Sequence, residues 1–173
     1  MSAIFRNLDN KKPQNVSMLK YVNYSIVFQE VPDEVTLAIN ISNCPNRCKG
    51  CHSPYLMEDM GEVLSRENLE MIIEQYKNAI TCVCFMGGDS EPKAIEQLAT
   101  CLRQSAKHLK IAWYSGKSNF ADSCTLHNFD YIKLGAYVEE LGGLDSTKTN
   151  QRFYKILNGR MIDITSHFMK EIQ

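Results

Sequence analysis

The sequence VTLAINISNCPNRCKGCHSP, residues 35–54, joins an apolar run to a loop with three cysteines. Residues 35–41 are rich in β-branched and aliphatic side chains, which predicts a strand. The cysteines follow at positions 44, 48 and 51, just beyond the carboxyl end of that strand. Proteins of the α/β class bind ligands at the carboxyl ends of their strands. This order of strand and loop therefore predicts an α/β fold with a site at that edge of the sheet.

The three cysteines, Cys44, Cys48 and Cys51, have the spacing C-x₃-C-x₂-C. Three thiolates in one short loop can bind three irons of a 4Fe–4S cluster and leave the fourth iron without a protein ligand. An open iron can bind a substrate and transfer an electron to it. The spacing therefore predicts an iron–sulfur cluster with one open coordination position.

Three other structures compete with the cluster for this loop. Offsets of four and seven residues match one face of a helix, but Pro45 and Gly50 disfavour a regular helix. A disulfide framework fits poorly, because seven cysteines is an odd number and no secretory segment is visible. Structural zinc with His52 as a fourth ligand is the remaining alternative. Zinc sites usually add a second ligand pair, whereas Cys82 and Cys84 form only C-x-C on a predicted buried strand, where we expect inert thiols.

The bulk composition is that of an ordinary globular protein. Of 173 residues, 44% are hydrophobic and 23% are charged, which suits one domain with a real core. We expect a single domain over residues 1–173, with residues 1–22 as a partly ordered lead-in. The net charge is −1 and no Lys/Arg tract is present, so nothing predicts nucleic-acid binding. No apolar run is long enough to cross a bilayer, and a thiol-rich chain suits the reducing cytoplasm.

Hydrophobic periodicity predicts the other elements. We expect further strands at residues 24–29, 81–86, 110–114 and 131–134, and helices at residues 66–78, near 92–109 and around 119–127. Ser65 is the expected N-cap of the first helix. Alternating strands and helices predict an open partial (βα) barrel with a mostly parallel sheet, because there are too few units for eight strands and eight helices. Asn158-Gly159 favours a type I′ turn, which predicts a C-terminal β-hairpin.

Three segments resemble one family. The cysteine loop resembles the cluster motif of the radical S-adenosylmethionine superfamily. Within it, CKGCHSP at residues 48–54 is similar to the C-P-G-C-H-x-P form of the activating proteins of anaerobic ribonucleotide reductases. FMGGD at 85–89 resembles that family's S-G-G-D segment, and TNQR at 149–152 resembles its S-x-N-Q-R segment. The resemblance extends over about residues 35–160, although Met86 replaces a serine and residues 131–135 follow the family's aspartate-glycine-lysine stretch only loosely.

The resemblance implies cofactors, an activity and partners. Cys44, Cys48 and Cys51 would bind the 4Fe–4S cluster, and S-adenosylmethionine would bind its open iron. Reductive cleavage would give a radical that abstracts hydrogen from a glycine of anaerobic ribonucleoside-triphosphate reductase, with a flavodoxin or ferredoxin as electron donor. No side chain is assigned as a catalytic acid, base or nucleophile. The alternatives are an activase of another glycyl radical enzyme, a small-molecule radical enzyme, and a zinc-stabilised interaction module.

Five residues are candidate contacts to S-adenosylmethionine: Gly87, Gly88, Asp89, Ser115 and Asn150. In the resembling family the Gly-Gly-Asp segment meets the methionyl ammonium, with Asp89 as the counter-charge. A plain strand-to-helix turn is the alternative. Ser115 ends the next strand at the same edge and either binds the cofactor or completes a turn. Three residues, Asn150, Gln151 and Arg152, are expected either to fix the cofactor or to shape the partner's entry, with a surface salt bridge as the alternative for Arg152. His52 either packs by the adenine or faces solvent.

Overall fold

The computed structural model describes residues 19–169, and one eight-stranded sheet forms the centre of this part of the chain. The strands are β1 (Lys20–Val27), β2 (Thr36–Ile41), β3 (Glu62–Val63), β4 (Cys82–Met86), β5 (Lys110–Tyr114), β6 (Tyr131–Leu134), β7 (Arg152–Leu157) and β8 (Arg160–Asp163). Their order across the sheet is β3-β1-β2-β4-β5-β6-β7-β8. Residues 1–18 of the expected lead-in lie outside the described part, and residues 20–22 belong to β1.

The sheet is mixed, so the expected mostly parallel partial barrel is wrong. Three pairings are parallel, β2 with β4, β4 with β5 and β5 with β6. Four are antiparallel, β1 with β2, β1 with β3, β6 with β7 and β7 with β8. A parallel pair needs a long crossover, usually a helix, and the described residues contain two α-helices, α1 (Arg66–Tyr76) and α2 (Pro92–Ser105). Two helices cover too few crossovers for a parallel barrel, and short turns before β2 and after β7 reverse the chain instead.

Local sequence signals account for the elements that were predicted correctly. The side chain of Ser65 caps α1 by accepting a hydrogen bond from the backbone N–H of Asn68 at 3.2 Å. Pro92 lies in the first turn of α2. Backbone N–H groups in the first turn have no acceptor within the helix, so proline, which has no N–H, costs no hydrogen bond there. Asn158 and Gly159 have φ values of 50° and 72°, as a type I′ turn requires. They join β7 to β8 in the expected C-terminal β-hairpin.

The expected helix at residues 119–127 is also wrong. A 3-10 turn, Leu126–Asn128, is the helical structure found there. The preceding residues 115–125 read SGKSNFADSCT, and Ser, Asn and Asp side chains compete with the backbone for hydrogen bonds. Phe120 and Phe129 instead pack their rings against Trp113, with centroids 6.0 and 5.7 Å away. Aromatic packing therefore holds the connection between β5 and β6 against the sheet.

Alternate residues of β4 belong to two different apolar clusters. Val83 and Phe85 pack in the larger cluster, which also contains the buried side chains of α1 and α2. Cys82 and Cys84 pack in a smaller cluster with Val31, Ala112, Tyr131 and Phe153. Since successive side chains of a strand point to opposite faces, the helices cover one face of the sheet. No helix within residues 19–169 combines the length and the apolar character that a membrane crossing requires.

Candidate metal centre

The parallel strands in the middle of the sheet end at a common edge. Asn40 of β2 pairs with Met86 of β4, and Met86 pairs with Tyr114 of β5, so these strands finish at the same level. The loops that follow them meet at this edge. A cavity of about 330 Å³ opens between these loops, a size typical of small-molecule sites.

All three loop cysteines line this cavity. Cys44, Cys48 and Cys51 are half-buried, and none of them forms a disulfide. The backbone of their loop is irregular, because Asn43, Arg47 and Gly50 have φ values of 57°, 46° and 71°. Positive φ is incompatible with a right-handed helix, so the helical alternative for this spacing is wrong. The irregular backbone turns three side chains towards one space.

Backbone hydrogen bonds fix where the loop begins. The N–H groups of Asn43 and Cys44 donate to the carbonyls of Glu58 and Leu56, both at 2.9 Å. These bonds tie the start of the loop to the 3-10 turn at Pro54–Met57 and the residue after it. The cysteine loop is therefore closed on itself and held beside the end of β2.

Two of the three sulfurs accept hydrogen bonds. The backbone N–H of Ser53 donates to Cys51 Sγ at 3.4 Å, and the side-chain amide of Asn46 donates to Cys44 Sγ at 3.7 Å. Such donors stabilise negative charge on a cluster and its thiolates. Within residues 19–169 no three His, Cys, Asp or Glu side chains are grouped closely enough for a single metal ion. A 4Fe–4S cluster spreads its thiolates over separate irons, so three cysteines spaced around one cavity fit it.

Asp89 lies next to the cysteine loop and is hydrogen-bonded both to that loop and to the two residues that follow β5. Its Oδ2 accepts hydrogen bonds from Asn46 Nδ2 at 2.6 Å and from the backbone N–H of Gly116 at 2.7 Å. Its Oδ1 accepts from the hydroxyl of Ser115 at 2.6 Å. The structure thus brings together two predicted cofactor contacts, Asp89 and Ser115, but it bonds them to each other, and neither is among the residues that line the cavity.

The two glycines before Asp89 have different surroundings. Both have positive φ, 104° at Gly87 and 88° at Gly88, so a side chain at either position would be strained. Gly87 lines the cavity, and its carbonyl accepts from the indole N–H of Trp113 at 2.8 Å. A Cβ at Gly88 would lie 2.5 Å from Ile95 Cδ1. Gly87 therefore faces the site, and Gly88 allows the turn to pack against α2.

Of the three candidates at positions 150–152, Gln151 is the one that lines the cavity. Asn150 is exposed, and its amide donates to the carbonyl of Ala136 at 2.9 Å. Arg152 donates to backbone carbonyls and forms a salt bridge with Asp163 at 3.7 Å. This is the surface salt bridge that was the alternative to cofactor binding for this side chain. Gln151, which is buried, lines the cavity instead.

Lys133 is a cavity residue to which the sequence assigned no role. It is buried on β6, and its ammonium donates to the carbonyl of Gly135 at 2.6 Å. Burial lowers the pKa of Lys133 to about 8, and the nearby Asp89 and Cys48 oppose that shift. Its position within the apolar strand YIKL was the sequence signal that this lysine is buried.

An aromatic pair forms another part of the cavity wall. The ring of His52 is exposed and packs edge-on against Tyr137, with centroids 5.3 Å apart. Both side chains line the cavity. An exposed lining residue shows that the cavity reaches the surface at this point. Nothing local in the sequence singled out Tyr137.

The comparisons with known proteins agree with this site. Residues 35–149 match the family model of a 4Fe-4S single cluster domain. The match begins one residue before β2 and includes the cysteine loop, the Gly87-Gly88-Asp89 turn and Lys133. No curated protein and no solved structure matches the chain significantly. Because the matched range is more than half of the 173 residues, the chain belongs to the family of 4Fe-4S single cluster domains and is an iron–sulfur protein.

Proposed function

We propose that this iron–sulfur protein is a radical S-adenosylmethionine activase that generates a glycyl radical on anaerobic ribonucleoside-triphosphate reductase. The observation that carries the proposal is that three cysteines, Cys44, Cys48 and Cys51, line one cavity. Ferredoxin-type clusters have four cysteine ligands, and the described wall of this cavity supplies three. When bound, such a cluster supplies one electron to S-adenosylmethionine at its open iron. The similarity of residues 48–54 to activating proteins supports the choice of substrate.

The cavity wall offers suitable groups for a charged, polar cofactor beside the cluster. Gly87 has no side chain, so a ligand can approach the backbone closely. The ammonium of Lys133 places a positive charge at the wall, which suits a carboxylate. The buried amide of Gln151 can both donate and accept hydrogen bonds. These groups bind and orient the cofactor in our proposal, and none of them has to act as a nucleophile.

The exposed rim of the cavity suits a protein substrate. His52 and Tyr137 form part of this rim, and His52 is exposed. A glycine-bearing loop of a partner enzyme can reach a site that opens at the surface. All seven cysteines are unpaired, which is consistent with work in a reducing cytoplasm with a flavodoxin or ferredoxin as electron donor.

The first test is reductive cleavage of S-adenosylmethionine. Protein that is purified and reconstituted without oxygen should be brown and should form 5′-deoxyadenosine when it is reduced. Cys48→Ala should form none, whereas Cys101→Ala, which changes a cysteine outside the cavity, should behave as wild type. A fully reconstituted wild-type protein that forms no 5′-deoxyadenosine with any reductant would contradict the proposal.

The second test identifies the partner. We expect a glycyl radical signal in electron paramagnetic resonance when the activase, the reductase, reductant and S-adenosylmethionine are mixed. The matched control is the same reductase with its radical-bearing glycine replaced by alanine, which should give no signal. A signal obtained only with a different glycyl radical enzyme would retain the activase and change its partner.

A further inference from the structure

We propose that Asp89 is a positioning residue of the metal centre, and that it acts through Asn46 on the thiolate of Cys44. The inference rests on the iron–sulfur part of the proposed function and deepens it. It does not require cleavage of S-adenosylmethionine. It assigns a role to Asp89 that differs from the cofactor contact that the resemblance implies.

The side-chain amide of Asn46 bridges a carboxylate and a cysteine sulfur. One atom, Asn46 Nδ2, lies 2.6 Å from Asp89 Oδ2 and 3.7 Å from Cys44 Sγ. An amide nitrogen carries two N–H groups, so it can donate to both acceptors at once. If the amide rotated by 180°, its oxygen would face two acceptors and both hydrogen bonds would be lost. The short bond to a charged carboxylate is the stronger of the two, so Asp89 sets the orientation of the amide.

Asp89 is itself held in place by the two residues that follow β5. Ser115 donates its hydroxyl to Oδ1, and Gly116 donates its backbone N–H to Oδ2. Gly116 also leaves the space in which the amide lies, because a Cβ at this position would be 2.2 Å from Asn46 Nδ2. The ends of β4 and β5 therefore determine where a side chain of the cysteine loop points.

The expected consequence is electrostatic. An N–H group that points at a cysteine sulfur stabilises the more negative, reduced state of a cluster more than the oxidised state, which raises the reduction potential. Removal of the Asn46 amide should therefore lower the potential. Removal of the Asp89 carboxylate has two opposite effects: the amide is then free to turn away from the sulfur, which lowers the potential, and a nearby negative charge is lost, which raises it. Asp89→Asn loses the same charge but keeps an acceptor oxygen for the amide, so comparing Asp89→Ala with Asp89→Asn isolates the effect of amide orientation.

The test measures the midpoint potential and iron content of reconstituted protein without S-adenosylmethionine. We expect Asn46→Ala to have a more negative midpoint potential than wild type, and Asp89→Ala a more negative one than Asp89→Asn, with iron content retained in each. Asn46→Ala introduced into Asp89→Ala should cause no further shift. Asp89→Asn is the charge-matched reference, because it keeps an acceptor oxygen for the Asn46 amide and lacks the carboxylate charge.

Two further variants separate this pathway from a general loosening of the fold. Gly116→Ala adds a methyl group that displaces the Asn46 amide and leaves the Asp89 carboxylate present, so it should reproduce the Asn46→Ala shift. Ser115→Ala removes one of the two hydrogen bonds that hold Asp89 from the residues after β5 and leaves the one from Gly116, so it should shift the potential less than Asn46→Ala. Circular dichroism of each variant checks the fold.

A full Asn46→Ala shift in the Asp89→Ala background, or equal potentials in Asp89→Ala and Asp89→Asn, would overturn the inference. Loss of iron from Asp89→Ala alone would also overturn it, since Asp89 would then act apart from Asn46. Because none of these measurements uses S-adenosylmethionine, they separate the two proposals. Unchanged potentials with normal 5′-deoxyadenosine formation would remove the inference and leave the proposed function, and the opposite pattern would do the reverse.

Discussion

The loop cysteines and the strand cysteines place the same side chain in two different environments. Cys44, Cys48 and Cys51 are half-buried around a cavity, and two of their sulfurs accept hydrogen bonds. Cys82 and Cys84 are fully buried in an apolar cluster. Burial raises the pKa of both strand thiols, which keeps them protonated and neutral. A thiolate is required for metal ligation, so desolvation excludes the strand pair from that chemistry.

The backbone conformation is a second difference between the loop cysteines and the strand cysteines. Cys82 and Cys84 are two residues apart on β4, so both point to one face of the sheet in fixed directions. The cysteine loop has positive φ at Asn43, Arg47 and Gly50, which lets its side chains converge. An irregular loop can therefore shape itself around a cluster, whereas a strand in the middle of a sheet cannot.

The largest expected effect is the loss of the cluster when a loop cysteine is removed. Cys44→Ala, Cys48→Ala or Cys51→Ala should each reduce the iron bound after reconstitution to near zero, because two thiolates do not hold the cluster stably. Iron analysis and the visible absorbance measure this directly. Cys84→Ala is the matched control and should bind as much iron as wild type. Full iron in any loop variant would remove that cysteine from the ligand set.

His52 tests whether the fourth position of the metal centre is open or is filled by a side chain. It lines the cavity and is the side chain that the zinc alternative would use as a fourth ligand. If the fourth position is open, His52→Ala should keep its iron–sulfur absorbance. If the wild-type protein were instead colourless, and if it held stoichiometric zinc that is lost in His52→Ala, the centre would be a zinc site and not an iron–sulfur cluster.

Thiol reactivity should differ by at least ~100-fold between the two sets in the folded apoprotein. Only the thiolate reacts with iodoacetamide, and each unit by which a pKa rises above the ambient pH lowers the thiolate fraction tenfold. At pH 8 we expect peptide mass spectrometry to show rapid modification of the loop cysteines. Cys82 and Cys84 should become modified only after urea unfolds the chain. Equal rates for Cys84 and Cys48 would show that the strand is accessible and would end the comparison.

The cysteine loop could be predicted because its chemistry is local. Three ligands fall within eight residues, and Pro45 and Gly50 within the same stretch exclude a helix. The contacts of Asp89 were not predictable in this way. They join Asn46 to Gly116, seventy positions away, and depend on how three loops meet at the end of the sheet. The burial of Lys133 depends on tertiary packing for the same reason.

The elements of the fold were more predictable than their pairing. Ser65, the Asn158-Gly159 turn and the apolar run Lys110–Tyr114 each carry a local signal, and each prediction is confirmed. Strand direction depends on what connects two strands. Residues 135–151 between β6 and β7 are too many for a tight hairpin, yet they contain no helix and the strands pair antiparallel. The mostly parallel barrel, which was predicted from the alternation of strands and helices, is therefore wrong because several consecutive strands are joined without a helix and pair antiparallel.

Lys133 combines the two environments, because it is buried like the strand cysteines and lines the cavity like the loop cysteines. Burial lowers its pKa to about 8 in the folded state, while an unfolded lysine titrates near 10.4. Above pH 8 the unfolded state therefore binds more protons, so this residue makes the protein more stable as pH rises. Between pH 7 and 9.5 the effect is at most about 2 kcal/mol.

Lys133→Met in the apoprotein tests this dependence. Its free energy of unfolding in urea should lack the rise that Lys133 gives wild type between pH 8 and 9.5. The difference between the two proteins isolates Lys133, because the buried Cys82 and Cys84 titrate in both and act in the opposite direction. Parallel pH profiles would show that the ammonium reaches solvent and is not buried in the cavity wall.

The smallest expected effect is the cost of removing a strand thiol. Cys84→Ala deletes one buried sulfur in the cluster formed with Tyr131 and Phe153, which should lower the free energy of unfolding by about 1 kcal/mol. Urea denaturation of the apoprotein measures the change, with Cys101→Ala on α2, half-buried, as a milder reference. A loss of stability without a loss of iron would show that the strand thiols contribute through packing alone. The loop variants, in contrast, should lose their iron. A Cys84→Ala protein that is as stable as wild type but poor in iron would assign the strand thiols to the metal centre and reverse the contrast between the two sets.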